Sequence, residues 1–325
     1  MKRFIRGLPA TGGSTFRERF RSYIPKLRRA STKTKKKDKP KRDFSLPPSN
    51  IRVINGDKIG ICGIFCNESA YLKEWLEFHL MVGINKFVLY DNGSNDDYID
   101  VLNPYIARGL VSLVPWATFA VGLNPQTLAY AHAARNCASD MRWLIFLDID
   151  EFIFSETSDN VRPAFTRFEE FDTLAIPRFE FGPNGHKTNP SGLVIESYTS
   201  VSLYTKPSGR GAVKSAVRPS SVHTIYSPHH IRTMGRDLLL EPTHCGRFDL
   251  RVNHYFSKSE SEFEAKLKRG YAWHKTEHGV SIKAENKMRK LRQIVESPST
   301  KYSMDRFISR LKNRMDVPAT QTRNT

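Results

Sequence analysis

Between residues 58 and 150, short apolar runs alternate with segments of helical periodicity, and this alternation restricts the possible folds more than any other feature. The run 59–65, with Gly60 and Gly63 inside it, reads as a buried strand, and Asn67-Glu68-Ser69 then supplies helix-start chemistry. Leu72, Trp75, Leu76, His79 and Leu80 fall on one face of the helix that follows, and Gly83 sits where it should stop. The cycle repeats. Residues 87–90 form a second short buried strand closed by the turn Asp91-Asn92-Gly93-Ser94, 98–107 a helix, 110–116 a strand, 126–138 a helix and 143–147 a strand. Strands alternating with helices build a mostly parallel sheet with right-handed crossovers, so the expected class is α/β and Rossmann-like, with flanking helices.

In such sheets ligands bind beyond the carboxyl ends of the strands. Three strands here end in polar residues: Asn67-Glu68, Asp91-Asn92 and Asp148-Ile149-Asp150-Glu151. If the last strand continues through its acids, Asp148 and Asp150 share one face, while Ile149 and Glu151 point the other way and Glu151 anchors a loop. Paired hard oxygen ligands suit Mg²⁺ or Mn²⁺, ions that keep positions open for substrate phosphates. Two solvated acids at a strand end are the plainer alternative. An acid after an early strand can accept from ribose hydroxyls or base N–H groups, and Asn67 and Glu68 equally suit a helix cap. Neither GxxxxGK[ST] nor GxGxxG follows any strand, so bound phosphates would be neutralised by metal and cationic side chains.

The net charge of +18 suggests nucleic acid only until it is located. Residues 1–50 carry 16 Lys or Arg against three Asp or Glu, so +13 lies in that segment and +5 is left for residues 51–325. We read residues 1–50 as a disordered basic tail, with Phe16, Phe20, Ile24 and Leu27 at helical spacing as a basic amphipathic helix that Pro25 weakens. Residues 1–42 are then a candidate contact for an anionic membrane surface, and no specific nucleic acid is expected. The remaining division is a main domain over 51–300 and a C-terminal helix and tail over 301–325. Without a secretory signal or a membrane-length apolar run, and with Cys62, Cys66, Cys137 and Cys245 forming no CxxC pair, the expected setting is cytoplasmic, peripheral at the inner face of a membrane.

The segments ICGIFCNESAYLKEWLEFHLMVGINKFVLYDNGSND, WLIFLDIDEFIF, VKSAVRP and NHYFSKSESEFEAKLKRG, taken in order, resemble glycosyltransferase family 92 and its bacterial relatives in the family 2-like GT-A class, over residues 58–275. The resemblance implies a GT-A fold, a nucleotide-sugar donor (usually a UDP-sugar), a glycan or glycolipid acceptor, a divalent metal on the DxD-type motif, and inversion at the anomeric carbon. By position it implies that Asp91 contacts the nucleoside with Glu68 near base or ribose, that Asp148 and Asp150 flank ribose and metal, and that Asp150 is the direct ligand.

Other candidates come from the residues themselves. Lys214, one of two cations beside an apolar strand in a segment that the resemblance includes, is a candidate diphosphate contact, against the plainer reading of a snorkelling surface cation. His254, at the end of an apolar strand pattern, is a candidate third metal ligand, with His229 and His230 as competitors. It precedes Ser259-Glu260-Ser261-Glu262, a capping box that should open a helix ending near Gly270. For the base that takes the acceptor proton we mark Glu180, which adjoins the loop 182–186, and then Asp249. A haloacid dehalogenase-type phosphotransferase fits poorly, because there the acid pair opens the domain. A non-catalytic basic membrane-surface or nucleic-acid binder draws support only from the tail.

Overall fold

The computed structural model describes residues 56–116, 124–202, 213–227, 229–269 and 299–317, all within the compact unit Asp43–Thr325. The basic tail, with the amphipathic helix expected in it, lies outside the described residues.

The first half follows the expected alternation: β1 (Lys58–Phe65), α1 (Ser69–Met81), β2 (Lys86–Asp91), α2 (Tyr98–Ala107), β3 (Val111–Pro115), α3 (Pro125–His132) and β4 (Met141–Phe146). The four strands are parallel in the order β3-β2-β1-β4. The chain moves outward from β1 on one side and returns to pair with it on the other, which leaves a crevice beyond the carboxyl ends of β1 and β4. The central strands β1, β2 and β4 are mostly apolar because both their faces are covered, while β3 at the sheet edge is only partly buried. Ile61, Phe87, Leu89, Trp143 and Ile145 join the core of Leu72, Trp75 and Phe78 from α1, whereas Cys62, Val88, Tyr90, Leu144 and Phe146 face Ala129 and Tyr130 of α3. Helix α1 stops at Gly83 as expected. Its φ of +100° is the left-handed region, and a Cβ there would lie 2.4 Å from the Asn160 side chain.

The second half contributes β5 (Glu151–Phe154), α4 (Arg162–Arg167), β6 (Thr173–Glu180), the short α5 (Val194–Ser197), β7 (Ser200–Ser202), β8 (Val213–Val217), β9 (Val222–Ser227), β10 (His230–Thr233), β11 (Asp237–Leu239), β12 (Arg251–His254), α6 (Glu260–Arg269), β13 (Ser299–Lys301) and α7 (Asp305–Asp316). The sheet continues from β4 through β8, β6 and β12 to β5, with β8 antiparallel to both its neighbours and β12 parallel to β6. In a flat sheet β5 would lie four strand spacings from β4, about 19 Å. Only five residue steps join Phe146 to Glu151, and they include a turn in which Glu151 N–H donates to Asp148 O at 3.1 Å. The sheet therefore curls back, and the acid motif is the tight link that closes the curl.

Two expectations are corrected. Strand β4 ends at Phe146, so Asp148 and Asp150 lie in a turn and do not alternate along a strand. The helix expected over 126–138 is α-helical only to His132 and then widens to a π turn over Ala133–Cys137. Among the described residues no helix is long and apolar enough to cross a membrane.

Candidate active site

The acid turn is braced from beneath by Glu151. Its carboxylate, fully closed to solvent, accepts the Asp148 N–H at 2.9 Å and pairs with Lys214 at 2.6 Å and Arg178 at 3.3 Å. Its carbonyl accepts Trp75 Nε1–H from α1 at 2.8 Å. One turn along α1, His79 Nδ1 donates to Trp75 O at 2.8 Å and its Nε2 accepts Ile153 N–H at 3.2 Å. Burial pushes the His79 pKa down to about 3, which keeps the ring neutral for this donor and acceptor pair. The loop-anchoring role expected of Glu151 is the one it has.

Above this brace, strand register builds a chain of charges. His254 pairs with Glu151 across β12 and β5, and with Glu180 across β12 and β6. His254 Nε2 lies 3.4 Å from Asp150 Oδ1, its Nδ1 lies 2.7 Å from Glu180 Oε2, and Glu180 Oε1 lies 2.6 Å from Arg178. Asp150 Oδ2 accepts from Lys266 of α6. Burial would deprotonate His254, but the Glu180 and Asp150 carboxylates outweigh it and push its pKa up to about 9. Burial likewise opposes ionisation of the acids, yet Lys266 and His254 hold Asp150 well below the usual carboxylate range, and His254 and Arg178 hold Glu180 at about 2.

Several sequence-derived assignments change. Lys214 is fully buried and its ammonium pairs with Asp148 Oδ2 at 2.9 Å and with Glu151, so it braces the turn from beneath and is not the surface cation of the plainer reading. Asp148, with 34% of its side chain open, also accepts Gln126 Nε2–H at 2.6 Å; Lys214 offsets its burial and keeps its pKa below the usual range. Glu180 is pinned between His254 and Arg178, and a carboxylate at about 2 is a poor proton acceptor near neutrality. Asp249 pairs with Arg167 at 2.5 Å and accepts from Thr157 at 3.1 Å. It precedes the strand that His254 ends, about 16 Å along an extended chain from the imidazole.

The early loops are stapled to one another. Asn67, in a left-handed conformation (φ 54°), donates its N–H to Ser94 Oγ at 3.0 Å and accepts Asn95 N–H at 2.8 Å, while Ser69 N–H reaches Asp96 at 2.8 Å. Glu68 makes no side-chain cap hydrogen bond to α1. Asp91 is buried, and its two oxygens accept Ser94 N–H at 2.8 Å and Tyr98 O–H at 3.0 Å, which places it at the β2 edge as the residue holding that turn. The sequence reading missed Trp75, Gln126, Arg178, Lys258 and Lys266. Of these only the lysines carried a signal, as the cations flanking the capping box in FSKSESEFEAKLKRG.

The donor set fits a small divalent cation held partly by protein. Asp150 Oδ1 is a buried hard oxygen with no aligned hydrogen bond, and its 3.4 Å separation from His254 Nε2 is close to the roughly 3 Å between adjacent ligands around Mg²⁺. Asp148 faces Gln126 and Lys214, and among the described residues no three His, Cys, Asp or Glu converge as a cage, so the expected trio of Asp148, Asp150 and His254 reduces to a facing pair. Glu180 behind the imidazole is the carboxylate partner that orients many metal-binding histidines.

The chain is similar to several curated proteins and solved structures. A glycosyltransferase family 92 protein of Ricinus communis is 26% identical over 231 residues, covering 70% of this chain and 40% of its own length. One from Oryza sativa subsp. japonica is 26% identical over 202 residues, covering 60% and 32%. A galactan beta-1,4-galactosyltransferase of Arabidopsis thaliana is 24% identical over 147 residues, covering 41% and 28%. The chain thus spans about two fifths or less of the length of these curated relatives. Among solved structures, S. aureus TarS 1-349 in complex with UDP-GlcNAc aligns at a TM-score of 0.40 and 15% identity, over 79% of this chain and 72% of that one. Glucosyl-3-phosphoglycerate synthase from Mycobacterium tuberculosis, in a complex with Mn²⁺ and UDP-glucose, aligns at 0.31 and 15%, over 52% and 58%. The α/β class with a mostly parallel sheet and flanking helices is the one expected above. The family model for glycosyltransferase family 92 matches residues 58–307, most of the chain and every residue of the acid turn and its brace, and the chain belongs to that family.

Proposed function

We propose that this protein transfers a sugar from a nucleotide-diphosphate donor, a UDP-sugar, to a hydroxyl of a glycan or glycolipid acceptor, with Mn²⁺ or Mg²⁺ as cofactor and inversion at the anomeric carbon. The observation carrying this reading is the approach of Asp150 Oδ1 to His254 Nε2 at 3.4 Å, with Glu180 behind the imidazole, at the edge where β1, β2 and β4 end.

In this reading Asp150 and His254 hold the cation end of the donor, and Glu180 orients the ring and strengthens it as a ligand once its proton is lost. When bound, the cation would offset the charge that builds on the departing diphosphate. Asp148, fixed by Lys214 and Gln126, faces the ribose, and the stapled loops of Asn67, Glu68 and Asp91 border the nucleoside. We further propose that the reaction takes place at the cytoplasmic face of a membrane, with the basic tail as the electrostatic contact.

The test is a panel of UDP-sugars with Mn²⁺, scored for release of UDP by the intact protein, by Asp150→Asn and by chelator-treated protein. Release confined to the intact, metal-supplied protein is the expected result. Equal release by all three would end the proposal.

A further inference from the structure

With Lys214 sealed beneath the turn, the lysine that reaches Asp150 comes from the segment after His254. Lys266 donates to Asp150 Oδ2 and to Phe256 O at 3.2 Å, with its ammonium 4.6 Å from the Phe256 ring centroid. Lys258, in the loop between β12 and α6, is buried in a left-handed conformation (φ 50°), and its ammonium lies 3.5 Å from the Tyr71 ring centroid. Among the described residues Lys258 makes no ion pair; Glu68 and Asp150 act on its charge from nearby. A lysine held left-handed is strained, so its surroundings must enforce it. They do so through the capping box: Ser259 N–H donates to Glu262 at 3.0 Å, and Tyr71 and Tyr198 donate their hydroxyls to the same carboxylate.

Lys266 and a divalent cation compete for one carboxylate. A dication beside Asp150 would sit against the Lys266 ammonium that already occupies this carboxylate, and like charges in a buried site repel strongly. A lysine stem is flexible enough to move its ammonium by several bond lengths, and a pyrophosphate arriving with the cation offers it a new partner.

We propose that Lys266 is an intramolecular counter-ion of Asp150 that yields the carboxylate to the divalent cation and pairs instead with the donor's pyrophosphate, with Lys258 as a fixed second positive charge beside it. The proposal rests on the donor reading above. It makes cation and donor mutually dependent: the cation alone must displace an ammonium from its paired carboxylate, whereas the donor supplies a new anionic partner in exchange.

Calorimetric titration of the full-length protein with Mn²⁺ alone, and with UDP in saturating Mn²⁺, separates the two halves of this exchange. Lys266→Met should bind Mn²⁺ alone about fivefold more tightly than the native protein, because its competitor is gone. The same variant should bind UDP about tenfold more weakly, the loss of one charge-assisted hydrogen bond. Lys266→Arg, which keeps the charge, should stay near native on both counts. Unchanged or weaker Mn²⁺ binding by Lys266→Met, unchanged UDP binding, or an arginine variant that behaves like the methionine one would each overturn the proposal. A native protein that binds UDP normally while the variants show no contrast sinks this exchange alone. A native protein that binds neither ligand sinks the donor reading with it.

Discussion

Lys214→Met tests whether the acid turn rests on a buried charge. The substitution keeps an unbranched stem and removes an ammonium 2.6 Å from Glu151 Oε2 and 2.9 Å from Asp148 Oδ2, where the Lys214 and Glu151 side chains are both fully closed to solvent. Removing one partner of a buried ion pair costs about 3–5 kcal/mol, because the other is left charged without compensation. Glu151 would keep the Asp148 N–H at 2.9 Å and Arg178 at 3.3 Å, so the lower end, about 3 kcal/mol, applies. At about 2–4 °C per kcal/mol for a domain of this size, the melting midpoint should fall by about 6–12 °C. Scanning calorimetry reads this directly. Adding Glu151→Gln removes the orphaned charge, so the double variant should be more stable than Lys214→Met alone. A Lys214→Met protein that melts within about 2 °C of the native one but loses UDP affinity would show that the amine reaches the donor and that the bracing argument is wrong.

Three further outcomes follow from the same geometry. His254 has its pKa raised from 6.5 to about 9 in the folded state, so its stabilising contribution is complete below about pH 6.5 and is lost as pH rises through about 9; in chelator, the stability gap between native and His254→Gln protein should narrow by up to about 3 kcal/mol over that window. A gap that does not change with pH in urea titrations contradicts the charge pairing. Ser259→Ala removes the hydroxyl that accepts Glu262 N–H at 3.3 Å at the start of α6, and should lower stability by about 1 kcal/mol in denaturant melts. Deleting residues 1–42, the basic segment proposed to meet the membrane, should abolish sedimentation with anionic vesicles and leave UDP binding in Mn²⁺ intact; loss of UDP binding would favour the tail-centred binder over the transferase.

The features that could be read in advance are those whose cause is local. The strands 59–65 and 143–147 were visible because a strand covered on both faces must be apolar at every position, and α1 was visible from its single apolar face and the glycine beyond it. The capping box Ser259 to Glu262 is contained within four residues, so its two reciprocal bonds form as the pattern predicts. Asp150 and His254 were chosen separately, each as a polar residue at a strand end, and the fold brings them together.

What the sequence by itself determined about this protein is therefore the alternation of strands and helices, the edge on which its polar strand ends collect, and the family. Tertiary structure alone decided which way each charge faces. The curl that returns the sheet from β4 to β5 converts the acid strand into a turn, and the β12 register with β5 and β6 gives His254 the partners Glu151 and Glu180. It also seals Lys214 under the turn, pairs Asp249 with Arg167 ahead of the strand that His254 ends, and delivers Lys266 to a carboxylate 116 residues away. The physical reason is that a charged side chain's role depends on its partners and its access to water, and both are set by contacts between segments that local spacing does not connect.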